Sequence, residues 1–180
     1  MINVFEYYTT PKELEVPDFG DNAKLAFEFA YSYLVVRKVK GEILKSKKLE
    51  HIIAKSPLYS LNYALQILQH CSFKEGELAI ASNAYTAYTY ARYVIEGRWP
   101  EAESVIAKDA EYSYMYAKDI IKGRWSECEN NLLHGQGYDH DGKLFQYIRD
   151  ILKERWPAAE LRIKNSRYKE SYEKTFNVNL

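Results

Sequence analysis

A chain of 180 residues can bury one sizeable core without disulfides, and its two cysteines, Cys71 and Cys128, lack metal-like spacing and read as reduced thiols of a cytosolic protein. Lysine plus arginine balances aspartate plus glutamate at 25 each, which excludes a global field drawing the chain to nucleic acid or to an anionic membrane. No window approaches the roughly 18 consecutive apolar residues of a membrane-spanning helix, so no membrane partner is expected.

The first twenty residues read as an N-terminal arm, whose INVFEYY is either extended or a short strand and which Pro11 and Pro17 punctuate; Glu6 and the absence of a long apolar run speak against a secretory leader. From Asp21, an acceptable cap, a helix is expected to about Lys40, with Ala23, Ala26, Phe27, Ala30, Leu34 and Val35 as its apolar stripe and Gly41 as its stop. LEHIIAKSP then closes a diverged first unit, residues 21–55.

The rest is dominated by self-similarity. Tyr88–Lys108, YTYARYVIEGRWPEAESVIAK, returns 26 residues later as YMYAKDIIKGRWSECENN from Tyr114, and again, worn, as FQYIRDILKERWPAAELRIK from Phe145. A fixed period of this length signals an array of one small unit. In the clearest copy Tyr88, Ala91, Val94 and Ile95 share one helix face; Tyr114, Ala117, Ile120 and Ile121 match them, as do Phe145, Ile148, Ile151 and Leu152. Gly97 and Gly123 stand where that pattern stops and are expected to take the left-handed conformation after a helix end. Glu154 replaces them in the last copy, so its corner is expected to differ in shape. Pro100 and Pro157 suit the first turn of a second helix, whose stripe is Ala102, Val105 and Ile106. Counting back five residues from Leu61, Tyr88 and Tyr114 lands on Ser56, Asn83 and Asp109, three expected N-caps; from Phe145 it lands on His140, flanked by Asp139 and Asp141.

The copies therefore span 56–82, 83–108, 109–139 and 140–165, with a polar closing helix in 166–180. Phe73 and Glu77 take the places of Trp99 and Glu103. The expected fold is all-α: an α-solenoid-like stack of antiparallel helix pairs, about four and a half of them, in one domain.

Little of this carries chemistry. His134–Gly142, HGQGYDHDG, is the one cluster of catalytic residue types, but it fails the spacing of a calcium loop and offers two histidines without a third zinc ligand. It reads as a polar insertion whose Asp139 or Asp141 caps a helix. Glu50, Glu77, Glu103, Glu129 and Glu160 recur once per unit, so they read as structural parts, either helix-end charge or a ladder to Arg98, Arg124 and Arg155, rather than as a catalytic pair. Phosphate loops, serine–histidine arrangements and CxxC motifs are missing, so neither an enzyme, a cofactor nor a metal is expected.

The 17 tyrosines are the compositional outlier. Trp99, Trp125 and Trp156 read as corner core residues. Tyr63, Tyr90, Tyr116 and Tyr147 flank the stripe and are expected to pack between units, with hydroxyls reaching water or a backbone carbonyl. Tyr85, Tyr93 and Tyr112 point away from it, and exposed tyrosines beside Arg92 and Lys118 have the composition either of a recognition surface or of an ordinary helix surface.

The pattern YxYAxxVIxGRWPEAExxIAKD resembles tandem short repeats of proteins of large tailed bacteriophages, strongly over Asn83–Asn131 and weakly over Ser56–Ser82 and Phe145–Ser166. Cys71 and Glu154 depart from it. The resemblance implies a phage protein acting in the host cytoplasm by binding, and it brings no catalytic residues. Two readings stay open: a module binding a host or phage protein along its helices, or a binder of RNA or a nucleotide-like ligand through tyrosine stacking and Arg92, Lys118 and Arg149.

Overall fold

The structure, a computed structural model, describes residues 17–37 and 46–180, with side chains throughout except at 33–37. The arm at 1–16, the helix stop at Lys40–Gly41 and the side chains of Leu34 and Val35 lie outside that description. The described residues are all-α, with no strand among them. α1 is Ala23–Arg37 and α2 Lys47–Ile53. The copies follow as α3 Pro57–Asn62 with α4 Glu77–Ala81, α5 Ala84–Tyr90 with α6 Pro100–Ile106, α7 Ala110–Tyr116 with α8 Ser126–His134, and α9 His140–Tyr147 with α10 Pro157–Lys164. α11, Lys169–Phe176, closes the chain. The helices α3, α5, α7 and α9 touch in series, and among the second helices α4 touches α6 and α8 touches α10. Among the described residues no helix is long and apolar enough to cross a membrane.

Capping explains the starts. Ser56, Asn83 and Asp109 sit in extended backbone and their side chains accept from the N–H groups of Tyr59, Thr86 and Tyr112. Two expected caps fail. Asn22, not Asp21, accepts from the Leu25 N–H at the head of α1, while Asp21 pairs with Lys55. Asp139 precedes α9 in left-handed backbone and caps nothing; its carboxylate holds the Arg167 guanidinium and the Tyr168 hydroxyl. Asp141 likewise accepts from Arg162 Nε at 2.6 Å.

The ends of the first helices differ from expectation. Each of α3, α5, α7 and α9 runs on into a five-residue π-helical turn: Tyr63–Ile67, Ala91–Ile95, Ala117–Ile121 and Ile148–Leu152. Its backbone bonds reach five residues back, as from Glu96 N–H to Ala91 C=O. The wider turn rotates later side chains off the 3.6-residue face, so Ile95, expected in the core, is 36% exposed, while Tyr90 is fully buried. The left-handed residue is Glu96 (φ 56°), Lys122 (58°) or Lys153 (57°), one position before the expected glycine. Gly97 and Gly123 are not among the positive-φ residues, and a Cβ added at either meets nothing within 4 Å. Glu154 therefore fits the same place without strain, and its corner keeps the geometry of the other two. Gly123→Ala is expected to raise stability by about 0.4–1 kcal/mol by narrowing the unfolded ensemble; a lower urea midpoint would show that the backbone there does need glycine.

One polar arrangement recurs where each copy meets the next. Tyr63, Tyr90, Tyr116, Tyr147 and Tyr172 are buried, at 0–1% exposure. Their hydroxyls donate to a glutamate of the preceding copy: Glu50, Glu77 and Glu103 at 2.9 Å, Glu129 at 3.4 Å and Glu160 at 3.1 Å. From Tyr90 onward the same oxygen accepts the backbone N–H of the preceding corner aromatic: Phe73 at 2.9 Å, Trp99 at 2.7 Å, Trp125 at 2.8 Å and Trp156 at 3.1 Å. That N–H lies just before the second helix and has no helical acceptor, so the phenol satisfies a group whose burial unpaired would be costly. Arg98, Arg124 and Arg155 then grip Glu103, Glu129 and Glu160 through two N–H groups each. Glu103, Glu129 and Glu160 are thus structural partners of arginine, while Glu77 pairs with Lys74; the tyrosine hydroxyls reach a carboxylate and, from Tyr90 onward, an amide, with a carbonyl in reach at Tyr147.

Burial, with the neighbouring carboxylates adding to it, pushes the phenols of Tyr63, Tyr90, Tyr116 and Tyr172 above their ordinary value near 10, and burial does the same to Tyr147. The folded state favours the neutral phenol, so this stability is complete below about pH 10, the unfolded value, and is lost as pH climbs toward the raised folded values. An alkaline titration followed by circular dichroism and tyrosinate absorbance is expected to show a steep step in ionisation coincident with loss of helix. Ionisation of these tyrosines around pH 10 with helix intact would contradict the buried network.

Candidate interaction surface

Of the six residues singled out from the sequence, Tyr85 lies in α5 and Tyr112 in α7, while Arg92, Tyr93, Lys118 and Arg149 lie in the π turns that follow α5, α7 and α9, and the structure divides them. Tyr85 and Tyr93 are 45% and 46% exposed. Tyr112 is half-buried, its ring 5.8 Å from that of Tyr85 and 6.0 Å from that of Tyr88. The three cations are engaged within the chain. Arg92 lies over the Tyr93 ring, 5.3 Å from its centroid, and binds the Asp119 carboxylate and the Tyr88 hydroxyl. Lys118 donates to the Tyr114 hydroxyl at 3.0 Å. Arg149 donates to Asp150 through Nε at 2.6 Å and Nη2 at 3.0 Å.

These contacts form a second ladder between copies. Tyr88 donates to Asp119 at 2.5 Å and Tyr114 to Asp150 at 2.7 Å, each reaching the following copy. Burial, reinforced by the hydrogen bond to Asp119, pushes the Tyr88 phenol up to about 12, and the Arg149 guanidinium holds Asp150 below the usual carboxylate range. Sequence reasoning missed both aspartates and took Tyr88 and Tyr114 for apolar stripe. The signal was there: Lys118–Asp119 and Arg149–Asp150 place a cation and a carboxylate at the same point of successive copies.

Below this ladder, at the π turns, an open groove of about 410 Å³ is lined by His70, Arg92, Tyr93, Glu96, Asp119 and Lys122, with Gly97 and Ile120. A His70 ring nitrogen lies 3.1 Å from the Tyr93 carbonyl oxygen. Arg92 and Asp119 neutralise each other, and among the described residues the charged side chains of the groove without a partner are those of Glu96 and Lys122.

The 134–142 loop is bound into the protein. His140 is buried and its Nε2 donates to the carbonyls of Asn131, at 2.9 Å, and Leu132, at 3.2 Å. Arg162 ties Asp141 to the Leu133 carbonyl. Among the described residues no three His, Cys, Asp or Glu side chains gather as a metal site would need. No protein-family model, curated protein or solved structure matches the chain.

Proposed function

We propose that this chain is a non-enzymatic binding protein, encoded by a large tailed bacteriophage and acting in the host cytoplasm on a host or phage protein. Its frame is an α-solenoid-like stack of antiparallel helix pairs with a period of about 26 residues. The recurrence of the tyrosine–glutamate–amide arrangement at successive junctions supports the stack, since each copy then depends on its neighbours for its polar satisfaction. Origin and location rest on the resemblance of the repeated motif.

One observation favours a protein partner over RNA or a nucleotide. Arg92, Lys118 and Arg149 are held by Asp119, Tyr114 and Asp150, while Tyr85 and Tyr93 stay exposed. A phosphate would have to displace a carboxylate already in place at two of the three cations. Exposed tyrosine beside cations already engaged within the chain suits the aromatic centre of a protein interface.

Affinity capture from infected cells, with and without nuclease, tests this reading. A specific protein retained after nuclease treatment and at raised salt is the expected result. Capture lost with nuclease, or binding to a model RNA that falls steeply as salt rises, would overturn it in favour of phosphate recognition.

A further inference from the structure

The groove at the π turns has an unusual edge. Glu96 and Lys122 occupy the same place in successive copies, both in the left-handed backbone that favours glycine, and they carry opposite charge. Neither side chain has a hydrogen-bond or ion-pair partner among the described residues, whereas Arg92 and Asp119 between them are mutually paired. Beside them Tyr93 and Ile95 are 46% and 36% exposed. The edge therefore offers one free carboxylate, one free ammonium and apolar surface.

We infer that this edge is an interface between two copies of the chain, related by a two-fold axis that sets Glu96 of each copy against Lys122 of the other. A two-fold interface must be complementary to itself, and two opposite free charges meet that condition: one pairing made by the axis is made twice. A uniformly acidic partner would be drawn to Lys122 and repelled by Glu96, and a basic one the reverse. The equal count of 25 cationic and 25 anionic residues removes the long-range repulsion that would oppose self-association. Tyr93, Ile95 and Ile120 supply the apolar centre that such a contact requires. This inference goes beyond the binding reading above and does not rest on it.

Sedimentation velocity on the full chain, from low to high micromolar concentration, reads it out. A dimer that loosens with salt is expected. Glu96→Lys and Lys122→Glu should each weaken the dimer by about tenfold or more, because each places two like-charge pairs in the interface. The double exchange Glu96→Lys with Lys122→Glu should restore it to within a few-fold of the original. Circular dichroism of each variant checks folding, which is expected to be intact because both side chains are exposed and unpaired. A wild-type chain that stays monomeric, a dimer indifferent to both single reversals, or a double exchange that fails to restore binding would each overturn the pairing. A monomer would leave the partner-binding reading standing; nuclease-sensitive capture would remove that reading and leave the dimer.

Discussion

Trp125→Ala is expected to cost about 3–5 kcal/mol of folding stability, measured by urea unfolding. Trp125 is 2% exposed, and its ring packs 5.0 Å from that of Tyr116. Its backbone N–H binds Tyr147 and its carbonyl accepts from the Cys128 thiol, so its own copy and the following one close around it. Alanine keeps those backbone bonds and removes the ring, leaving a cavity between packed helices. The indole Nε1 is buried without a hydrogen-bond partner among the described residues. Its removal recovers part of the loss, which places the expected value in the lower half of that range. Trp125→Phe is the control: Phe73 fills the matching position in the 56–82 copy at 4% exposure, so the aromatic replacement should lose far less than alanine. Unchanged stability in Trp125→Ala would refute the core role and point to a ligand-facing one.

Tyr116→Phe is expected to cost about 1–3 kcal/mol although it removes a single oxygen. That oxygen accepts from the Trp99 N–H at 2.7 Å and donates to Glu103 at 2.9 Å, and Tyr116 is fully buried. The variant leaves an amide with no acceptor and no access to water. Glu103 keeps its two bonds from Arg98, so the unpaired amide dominates the loss. The same arrangement predicts a contrast on the surface: Tyr93→Phe, at a 46% exposed side chain, should change stability by no more than about 0.5 kcal/mol. Equal effects at the two positions would show that the buried hydroxyl does nothing special.

The helix starts were the most legible part of the fold, because Ser56, Asn83 and Asp109 act through local backbone geometry that the chain spells out within four residues. Trp99 and Trp125 were legible as core because they return at one place per copy. What escaped was anything the 3.6-residue period does not encode. The π turns insert an extra residue per turn, which turned Ile95 outward and put the left-handed position at Glu96, Lys122 and Lys153, one residue before the expected place. Asp139 looked like a cap because it precedes a helix, but its partners, Arg167 and Tyr168, lie in the closing segment, far along the chain. The surface was half legible. Tyr85 and Tyr93 point outward as helical geometry requires, whereas Arg92 and Arg149 are claimed by Asp119 and Asp150 and Lys118 by the Tyr114 hydroxyl, contacts that the helical period does not encode.

Backbone hydrogen exchange at Phe73, Trp99, Trp125 and Trp156 tests the account most directly. These four amides sit at corners outside the regular helical bonds, and each is satisfied by the tyrosine hydroxyl of the following copy. If those hydroxyls join the copies, the four amides are released only when a junction opens. They should then exchange at least about a thousandfold more slowly than unprotected amides, on the scale set by cooperative unfolding. Tyr116→Phe should abolish that protection at Trp99 more than at Trp156. Exchange of all four at the rate of an exposed turn would contradict the claim that tyrosine hydroxyls hold the copies together.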